Sequence, residues 1–413
     1  MSESLLGGRV MLHVGDCLDV LRSLPENTID AVVTDPPYHL HSITKRFAKT
    51  GRTESTASKS GPHNRTARGF MGKVWDGGDI AFRPETWAEV LRVLKPGGYI
   101  LAFASTRGFG RMSVAIEDAG FITHPLIAWV FGSGFPKATR IQAEGYEGQR
   151  YGGQALKPAV EPIYMGQKPF SEPTGTANIL RWGTGAVEID GCRVTTDDDL
   201  RAGASKLWSH YREGEASADR RYQDEGGTNF AMKPGVRGGD PAGRWPANLI
   251  HDGSDEVLAA FPEAPGQQRE VNDSFDPKVG TAVYGDYGPR PTVLPRDSGG
   301  SAARFFYTAK ADADDRIGSK HPTVKPVDLM QYLVRLVTPK GGLVLDPFGG
   351  TGTTGEAAWR EGRRALLIER EEEYAADIRR RMELAMAGPD ERRRRRAAMK
   401  PQEEAFGLFG GAA

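Results

Sequence analysis

This sequence of 413 residues has only two cysteines, a formal net charge of zero and no long apolar run. Only Cys17 and Cys192 are present, too few and too far apart for a disulfide scaffold or a zinc cluster, and we expect no metal. Lys and Arg total 54, as do Asp and Glu, so attraction to nucleic acid must come from local basic patches. No run of about 18 apolar residues occurs, and no secretory leader pattern opens the chain. These absences predict a cytoplasmic protein without a membrane partner.

The first 135 residues alternate strand-like and helix-like segments. The predicted elements are strand 10–14, helix 18–24, strand 29–34, helix 84–94, a Gly97-Gly98 turn, strand 99–103, helix 107–119 and an extended segment 121–131. Such alternation is typical of an α/β fold with a doubly wound, mostly parallel sheet. The length exceeds that of one ordinary domain, so an inserted or appended region is expected as well.

The tetrad Asp35-Pro36-Pro37-Tyr38 stands where an apolar run from Ile29 to Val33 ends. A carboxylate and a backbone carbonyl can accept the hydrogens of an exocyclic amine, proline fixes the backbone φ angle, and an aromatic ring can stack on a planar base. The tetrad therefore predicts a pocket edge that holds a base by its amino group. A proline-rich turn that closes a strand is the alternative.

A glycine-rich turn follows a second predicted strand, Leu343 to Leu345, far down the chain. Its residues are Asp346-Pro347-Phe348-Gly349-Gly350-Thr351-Gly352-Thr353-Thr354. Glycines let a backbone approach a ligand, and the free N–H groups at a helix start favour an anionic group. The next strand, Ala365 to Ile368, ends at Glu369, at the separation expected for an acid that binds ribose hydroxyls. The turn predicts a nucleotide-type site; an NAD or FAD site stays open on the glycines alone.

A third motif precedes a segment with helical apolar spacing, and consists of His321-Pro322-Thr323-Val324-Lys325-Pro326. The order along the chain is therefore the tetrad, this hexad and the glycine turn. In that order the sequence resembles the beta class of S-adenosylmethionine-dependent DNA amino-methyltransferases. The likeness covers approximately residues 9–170 and 306–385, including the segments 14–17, 94–98 and 157–163.

This resemblance implies a Rossmann-like methyltransferase fold and roles for single residues. Asp35 and the Pro36 carbonyl would accept the amine hydrogens, and Pro37 would keep Tyr38 in register to stack on a base flipped out of duplex DNA. For the cofactor S-adenosylmethionine, Asp346 would lie near the methionine amino group. Glu369 would hold the ribose. The other implied cofactor-binding residues are Asp16, Cys17, Thr323, Lys325, Phe348, Gly350, Thr351, Gly352, Thr353 and Thr354.

Two of these residues have simpler explanations. Asp16 is also placed to cap the helix predicted from residue 18, and both roles could hold together. Lys325 could equally be a solvated residue that opens its helix. The sequence leaves both alternatives open.

The resemblance divides the chain into four parts. Residues 1–170 would form the catalytic half and 306–385 the cofactor-binding half of the methyltransferase domain, with a basic, flexible tail at 386–413. Residues 171–305 are rich in Gly and Pro with interspersed Arg and aromatic residues, and we assign them to target recognition. A structural insertion is the alternative, because this region contains no named DNA-binding signature.

A basic stretch follows the tetrad, and its cations are opposed by a single acid, Glu54. Such a loop could clamp DNA phosphates near the extruded base, or it could be a solvated, mobile loop. The candidate DNA-binding residues are Lys45, Arg46, Lys49, Arg52, Arg65 and Arg68.

The leading interpretation is a DNA methyltransferase of a restriction-modification type that methylates adenine N6. Asp at the first tetrad position favours adenine by resemblance, because Ser is commoner there in N4-cytosine enzymes. The alternatives are an N4-cytosine enzyme, an RNA or protein-glutamine methyltransferase, whose motif order differs, and a non-catalytic binding module, which would have lost the tetrad. Double-stranded DNA is the expected partner; a homodimer and a cognate restriction endonuclease stay open.

Overall fold

The computed structural model describes residues 2–38, 79–196, 242–264, 299–309, 313–319, 321, 323–387 and 391. The chain forms two compact units. The first contains Met1–Gly191, Asn248–Ser254 and Thr308–Ala413, and the second contains Cys192–Ala247 and Asp255–Tyr307. The first unit is therefore built from distant parts of the sequence.

A large β-sheet organises the first unit. The strands of the chain are β1 (Ser2–Leu5), β2 (Val10–Val14), β3 (Ile29–Thr34), β4 (Leu94–Phe103), β5 (Ile122–Val130), β6 (Lys137–Arg140), β7 (Arg150–Gln154), β8 (Val160–Gln167), β9 (Leu249–His251), β10 (Tyr307–Thr308), β11 (Leu343–Asp346) and β12 (Arg364–Glu369). The sheet has the order β1-β2-β12-β11-β3-β4-β8-β5-β9-β10, and β6 pairs with β7 separately. Five neighbouring pairs are parallel, which confirms the predicted mostly parallel α/β sheet.

The helices begin where the local sequence supplies a start signal. They are α1 (Cys17–Ser23), α2 (Pro84–Val93), α3 (Phe109–Asp118), α4 (Gly175–Trp182), α5 (Asp255–Ala260), α6 (Val327–Val337), α7 (Thr353–Arg360) and α8 (Glu372–Met386). Asp16 caps α1, Pro84 occupies the first turn of α2, and the Thr174 hydroxyl accepts a hydrogen bond from a backbone amide of α4. The cap on α1 is the one that the sequence predicted.

Helices cover both faces of the sheet. On one face, α1, α2 and α3 share a core with Val32 and Leu345. On the other face, α6, α7 and α8 contact the strands, and Leu367 and Met382 fill the space beside Gly355. Because side chains alternate between the two faces of a strand, strands covered on both faces must be apolar almost throughout. This explains the continuous apolar runs in the sequence.

Two details of the sheet differ from the sequence prediction. β4 begins at Leu94, so the expected turn at Gly97 lies inside the strand, where Gly97 has φ +81° and the register with β3 shifts. β8 was not predicted, although it pairs antiparallel with both β4 and β5. The residues Pro162 and Gly166 hide its strand character, because both are uncommon inside strands.

The second unit differs in extent from the predicted recognition region, 171–305. Helix α4 belongs to the first unit, where the Asn178 side-chain amide donates to the Pro96 carbonyl at 2.8 Å. Strand β9 also belongs to the first unit and continues its sheet beside β5. Within the second unit, Val194 forms a β-bridge with Arg244, whose guanidinium lies 4.6 Å from the centroid of the Phe305 ring. In the described part of the chain, every helix is too short or too polar to span a bilayer.

A fully buried ion pair joins α7 to α8. Arg381 Nη1 lies 2.9 Å from Glu356 Oε2, and neither side chain is exposed to solvent. Arg381 also donates to the carbonyl oxygens of Thr351 at 2.7 Å and Asp315 at 2.5 Å. One guanidinium therefore holds the glycine-rich turn, through Thr351, against the helices behind it.

Replacement of this guanidinium should destabilise the protein strongly. We expect Arg381→Met to lower the free energy of unfolding by about 3–5 kcal/mol, because Glu356 would lose its buried partner and keep only the partly exposed Arg360. The matched control is Arg379→Met, whose salt bridge to Glu3 is exposed to solvent and should therefore contribute far less to stability. Urea unfolding of both variants measures the difference. Equal losses would contradict the role assigned to the buried pair.

Candidate active site

The cavity of the first unit lies where four parallel strands end. The segments that follow β2, β3, β11 and β12 line a cavity of about 1420 Å³, at the sheet edge where open α/β proteins bind ligands. The predicted site residues at its wall are Asp16, Cys17, Asp35, Pro36, Pro37, Tyr38, Thr323, Lys325, Asp346, Phe348, Gly350, Thr351, Thr353, Thr354 and Glu369. The structure therefore brings the tetrad, the hexad and the glycine turn together.

Asp346 lies at the end of β11 and is buried. Its Oδ1 accepts hydrogen bonds from the Thr34 hydroxyl at 2.6 Å and the Phe348 amide at 3.1 Å. Its Oδ2 accepts one from the Thr354 hydroxyl at 2.5 Å. Burial raises the pKa of Asp346 to about 6, although these hydrogen bonds oppose the rise. The carboxylate is thus held rigidly at the cavity wall in an environment that disfavours its charge.

Glu369 is a second buried acid on the same wall. The Gly350 amide donates to its Oε2 at 2.7 Å and the Glu371 amide donates to its Oε1 at 2.8 Å. Burial raises the pKa of Glu369 to about 7, against the effect of these two amides. Each oxygen keeps a lone pair, so the carboxylate can still accept hydrogen bonds from a ligand.

The glycine turn requires glycine at position 352. Gly352 has φ +78°, and a Cβ there would meet Ile378 at 3.1 Å and Met382 at 3.2 Å. Gly352 is not among the residues that line the cavity, unlike Gly350. Its place is beneath the turn, where it lets α7 start close to α8.

Asp16, Cys17 and Thr323 complete the wall of the cavity. The Asp16 carboxylate accepts the Leu18 amide at 2.9 Å, so the alternative of a helix cap is confirmed. Burial raises the pKa of the Cys17 thiol to about 12, which keeps it uncharged. His321 Nδ1 lies 3.1 Å from the Thr323 carbonyl oxygen and fixes the hexad backbone.

The two carboxylate oxygens of Asp35 have different surroundings. Oδ2 accepts a hydrogen bond from Lys325 Nζ at 2.7 Å. Oδ1 is buried and has no hydrogen-bond partner among the residues that the structure describes. A buried acceptor without a donor is costly, by about 1–3 kcal/mol. Asp35 is therefore anchored on one side and has an acceptor available on the other.

Lys325 is almost fully buried and lies at the centre of a group that we call the acidic cluster, which also contains Asp35, Glu161 and Tyr38. Its Nζ also lies 3.3 Å from Glu161 Oε2 and donates to the Tyr38 hydroxyl at 3.2 Å. Burial lowers the pKa of Lys325, but the Asp35 and Glu161 carboxylates together raise it by more than burial lowers it. The net shift of the pKa is therefore upward. The ammonium is therefore held protonated between two acids, and the alternative of a solvated lysine is wrong.

Glu161 lines the cavity but was missed as a site residue. Burial raises its pKa, opposed by the Lys325 ammonium, with a net rise. The Tyr38 hydroxyl lies 3.5 Å from Glu161 Oε2, and burial raises the pKa of Tyr38 well above its usual value, which keeps the phenol neutral. The available signal was an acid at the start of β8, inside the segment 157–163 that shares the resemblance.

The predicted DNA-binding cations lie outside the described residues. They are Lys45, Arg46, Lys49, Arg52, Arg65 and Arg68. Their role stays a prediction from the sequence alone.

Fold and site together define a doubly wound α/β protein with a nucleotide-type glycine turn and an acidic cluster on one cavity. The chain belongs to the DNA methylase family. The family model of that description, N6_N4_Mtase, matches residues 29–380, which include all three motifs.

Individual relatives match shorter parts of the chain. Type II methyltransferase M2.DpnII of Streptococcus pneumoniae is 44% identical over 69 residues, 17% of this chain and 26% of the relative. Type II methyltransferase M.HindIII of Haemophilus influenzae is 28% identical over 203 residues, 42% of this chain and 63% of the relative. The chain thus spans less than two thirds of either relative. The solved PvuII DNA methyltransferase (cytosine-N4-specific) is 16% identical, with 95% of this chain and 92% of that chain covered and a TM-score of 0.43.

The raised pKa of Asp346 makes a prediction for stability. An acid whose pKa is higher in the folded state stabilises the fold below its unfolded pKa, here near 3.8, and loses that contribution as pH rises through about 6. The variant Asp346→Asn has no charge to lose or gain at this position. The difference in free energy of unfolding between this variant and the native protein should therefore shift by about 3 kcal/mol in favour of the variant as the pH rises from 4 to 8. Urea unfolding at several pH values tests this, with the exposed Asp118→Asn as control. A pH-independent difference would contradict it.

Proposed function

We propose that this protein is a DNA methyltransferase that moves the methyl group of S-adenosylmethionine to an exocyclic amine, adenine N6 ahead of cytosine N4. The observation that carries the proposal is the buried Oδ1 of Asp35, which lacks a donor among the described residues and lies at the same cavity as the glycine turn. An amine N–H of a flipped base supplies that donor. Membership of the DNA methylase family supports DNA as the substrate.

The glycine-turn side of the cavity fits S-adenosylmethionine. Asp346 and Glu369 are buried acids with raised pKa values, so a ligand that brings an ammonium group and ribose hydroxyls supplies interactions that favour their ionised forms. We assign Asp346 to the methionine amino group and Glu369 to the ribose. The Gly350 backbone and Phe348 would lie against the sulfonium end. When bound, the cofactor supplies an already activated methyl group on a sulfonium.

The remaining predicted cofactor contacts keep a place in the proposal, with one change. Asp16 and the Cys17 backbone would contact the adenine of the cofactor, and the methionine carboxylate would bind to residues of the hexad and the turn, Thr323, Thr351, Thr353 and Thr354. Lys325 is reassigned to the acidic cluster, because its ammonium already contacts Asp35 and Glu161.

Asp35 makes the base amine a better nucleophile. The lone pair of an aromatic amine is delocalised into the ring, and hydrogen bonds from the NH₂ group to Asp35 Oδ1 and the Pro36 carbonyl favour a tetrahedral nitrogen. The amine lone pair then forms the new N–C bond as the methyl carbon leaves sulfur, with the C–S electron pair staying on sulfur. The nitrogen finally releases a proton to solvent. In-line positioning of the two centres contributes much of the rate.

Tyr38 and the rest of the tetrad position the base. The Tyr38 hydroxyl is held by Lys325, so its ring has a fixed place from which to stack on the flipped base. Pro37 keeps the ring in register with Asp35 through its fixed φ angle. The basic residues from Lys45 to Arg68 would add sequence-independent contacts to phosphates.

The choice of base rests on the resemblance of Asp35 to adenine-specific members. Adenine N6 and cytosine N4 both donate hydrogen bonds, so Asp35 Oδ1 can accept either, and N4-cytosine methylation is the second candidate. RNA and protein-glutamine methylation are less well supported, because the motif order follows that of the DNA enzymes. A homodimer and a cognate endonuclease remain expectations from the sequence.

Methyl transfer to DNA can be read from the labelled product. Purified protein with labelled S-adenosylmethionine should transfer label to duplex DNA, and nucleoside digestion should release N6-methyladenine. Sequencing of modified positions in a genome that expresses the chain would report the target site. N4-methylcytosine would select the second candidate, and label found only in RNA or protein would rule out the DNA assignment.

Single substitutions should separate the two halves of the cavity. Asp35→Ala should abolish transfer yet keep cofactor affinity, because Asp35 is assigned to the base amine and not to the cofactor. Glu369→Ala should weaken cofactor binding by about tenfold or more, since it removes hydrogen bonds to a charged acceptor. Calorimetry with the cofactor and turnover on DNA measure both, and the exposed Asp118→Ala should change neither. Loss of cofactor binding with retained turnover in Asp35→Ala would show that the assignment is wrong.

A further inference from the structure

The acidic cluster contains two carboxyl groups and one ammonium. Two carboxylates, Asp35 and Glu161, face one ammonium, Lys325, and all three side chains are largely buried. Tyr38 is kept neutral by burial, and burial lowers the pKa of His321, which keeps that ring uncharged near neutral pH. With both carboxylates ionised, one negative charge is left over. Asp35 and Lys325 alone would form a neutral pair.

We propose that Glu161 is a positioning and charge-balancing residue for methyl transfer. It holds Lys325 against Asp35 Oδ2, so that Oδ1 points at the substrate amine, and its charge keeps the cluster negative. The inference rests on the proposed function, and it assigns a role to a residue that lies outside all three motifs.

The reaction explains why the leftover charge matters. As the N–C bond forms, positive charge appears on the base nitrogen, which is hydrogen-bonded to Asp35. A neutral Asp35–Lys325 pair stabilises that charge poorly, because the ammonium lies 2.7 Å from Asp35 Oδ2 and repels it. A second carboxylate 3.3 Å from the same ammonium cancels the repulsion. Charges fixed in a buried site interact strongly with charge that develops in the transition state.

The geometry also explains why Lys325 is present. Without it, Asp35 and Glu161 would form a buried pair of like charges, and one of them would take up a proton. With it, both carboxyl groups lie in contact with one ammonium, which also contacts the Tyr38 hydroxyl and lies 4.9 Å from the centroid of the Phe103 ring.

Charge balance can be tested with a single and a double variant. Glu161→Gln keeps the shape of the side chain and removes its charge, so kcat on DNA should fall by about tenfold to a hundredfold, with the KM for S-adenosylmethionine little changed. Adding Lys325→Met removes the ammonium and leaves Asp35 as the one charge. The double variant should then recover kcat several-fold over Glu161→Gln, which a purely structural role would not produce.

The kcat values of the variants are compared under one set of conditions and against a control variant. All variants are assayed at the same mildly alkaline pH, because burial raises the pKa of Glu161. Glu361→Gln is the matched control, because it breaks a similarly buried ion pair, with Arg335, on the helix that follows the hexad but away from the cavity. Its kcat should equal that of the native protein, and thermal melting confirms that each variant is folded.

A binding measurement tests the same charge without turnover. Calorimetry measures the affinity of the protein for two ligands. One is S-adenosylhomocysteine, which is neutral at sulfur, and the other is an analogue that carries a protonated amine in place of the methylsulfonium. The native protein should prefer the cationic analogue, and Glu161→Gln should lose about tenfold of that preference.

The outcomes separate the inference from the proposed function. A native protein that methylates no DNA would refute the proposed function. If the native protein methylates DNA, the inference is overturned by native-like kcat in Glu161→Gln, by a double variant no faster than the single one, or by an unchanged preference for the cationic analogue.

Discussion

The pairing of β3 with β11 is the constraint on which the site depends. These strands come from opposite parts of the sequence, with Val344 opposite Ala31 and Leu345 opposite Val32. The hydrogen bond from the Thr34 hydroxyl to Asp346 Oδ1, across 312 positions of sequence, ties the two strand ends together. Because neighbouring parallel strands end at the same edge of the sheet, this one pairing places the tetrad Asp35–Tyr38 beside the glycine turn. Neither motif makes a site without the other.

The cavity contains two kinds of buried carboxyl group, which differ in what stabilises their charge. Asp346 and Glu369 lie in surroundings that raise their pKa values, and both are held by neutral donors, threonine hydroxyls and backbone amides. The acidic cluster instead has its own ammonium. The protein therefore places acids without a cation where a ligand can supply one, and it places acids around an ammonium where orientation matters. The fully buried pair of Arg381 and Glu356 supports this arrangement from behind the turn.

Much of the fold could be predicted from the sequence, because apolar runs and glycine signals are local. Strands β2, β3, β11 and β12 and the order of the motifs were predicted correctly. The β8 strand could not be predicted, since Pro162 and Gly166 weaken the local pattern, and only pairing with β4 and β5 makes it a strand. The partners of Lys325 were hidden for a different reason. Asp35 is 290 positions away from it, and no local pattern reveals which distant acids a buried ammonium will contact.

Strand β9 gives the chain an unusual path. Its residues, Leu249–His251, belong to the sheet, whereas the sequence on either side of the segment Asn248–Ser254 belongs to the second unit. The second unit is therefore not a continuous insertion with one entry and one exit. Chimeras that graft only this unit from a homologue need four splice points, because a two-cut exchange would also replace β9 of the host sheet with the donor's strand.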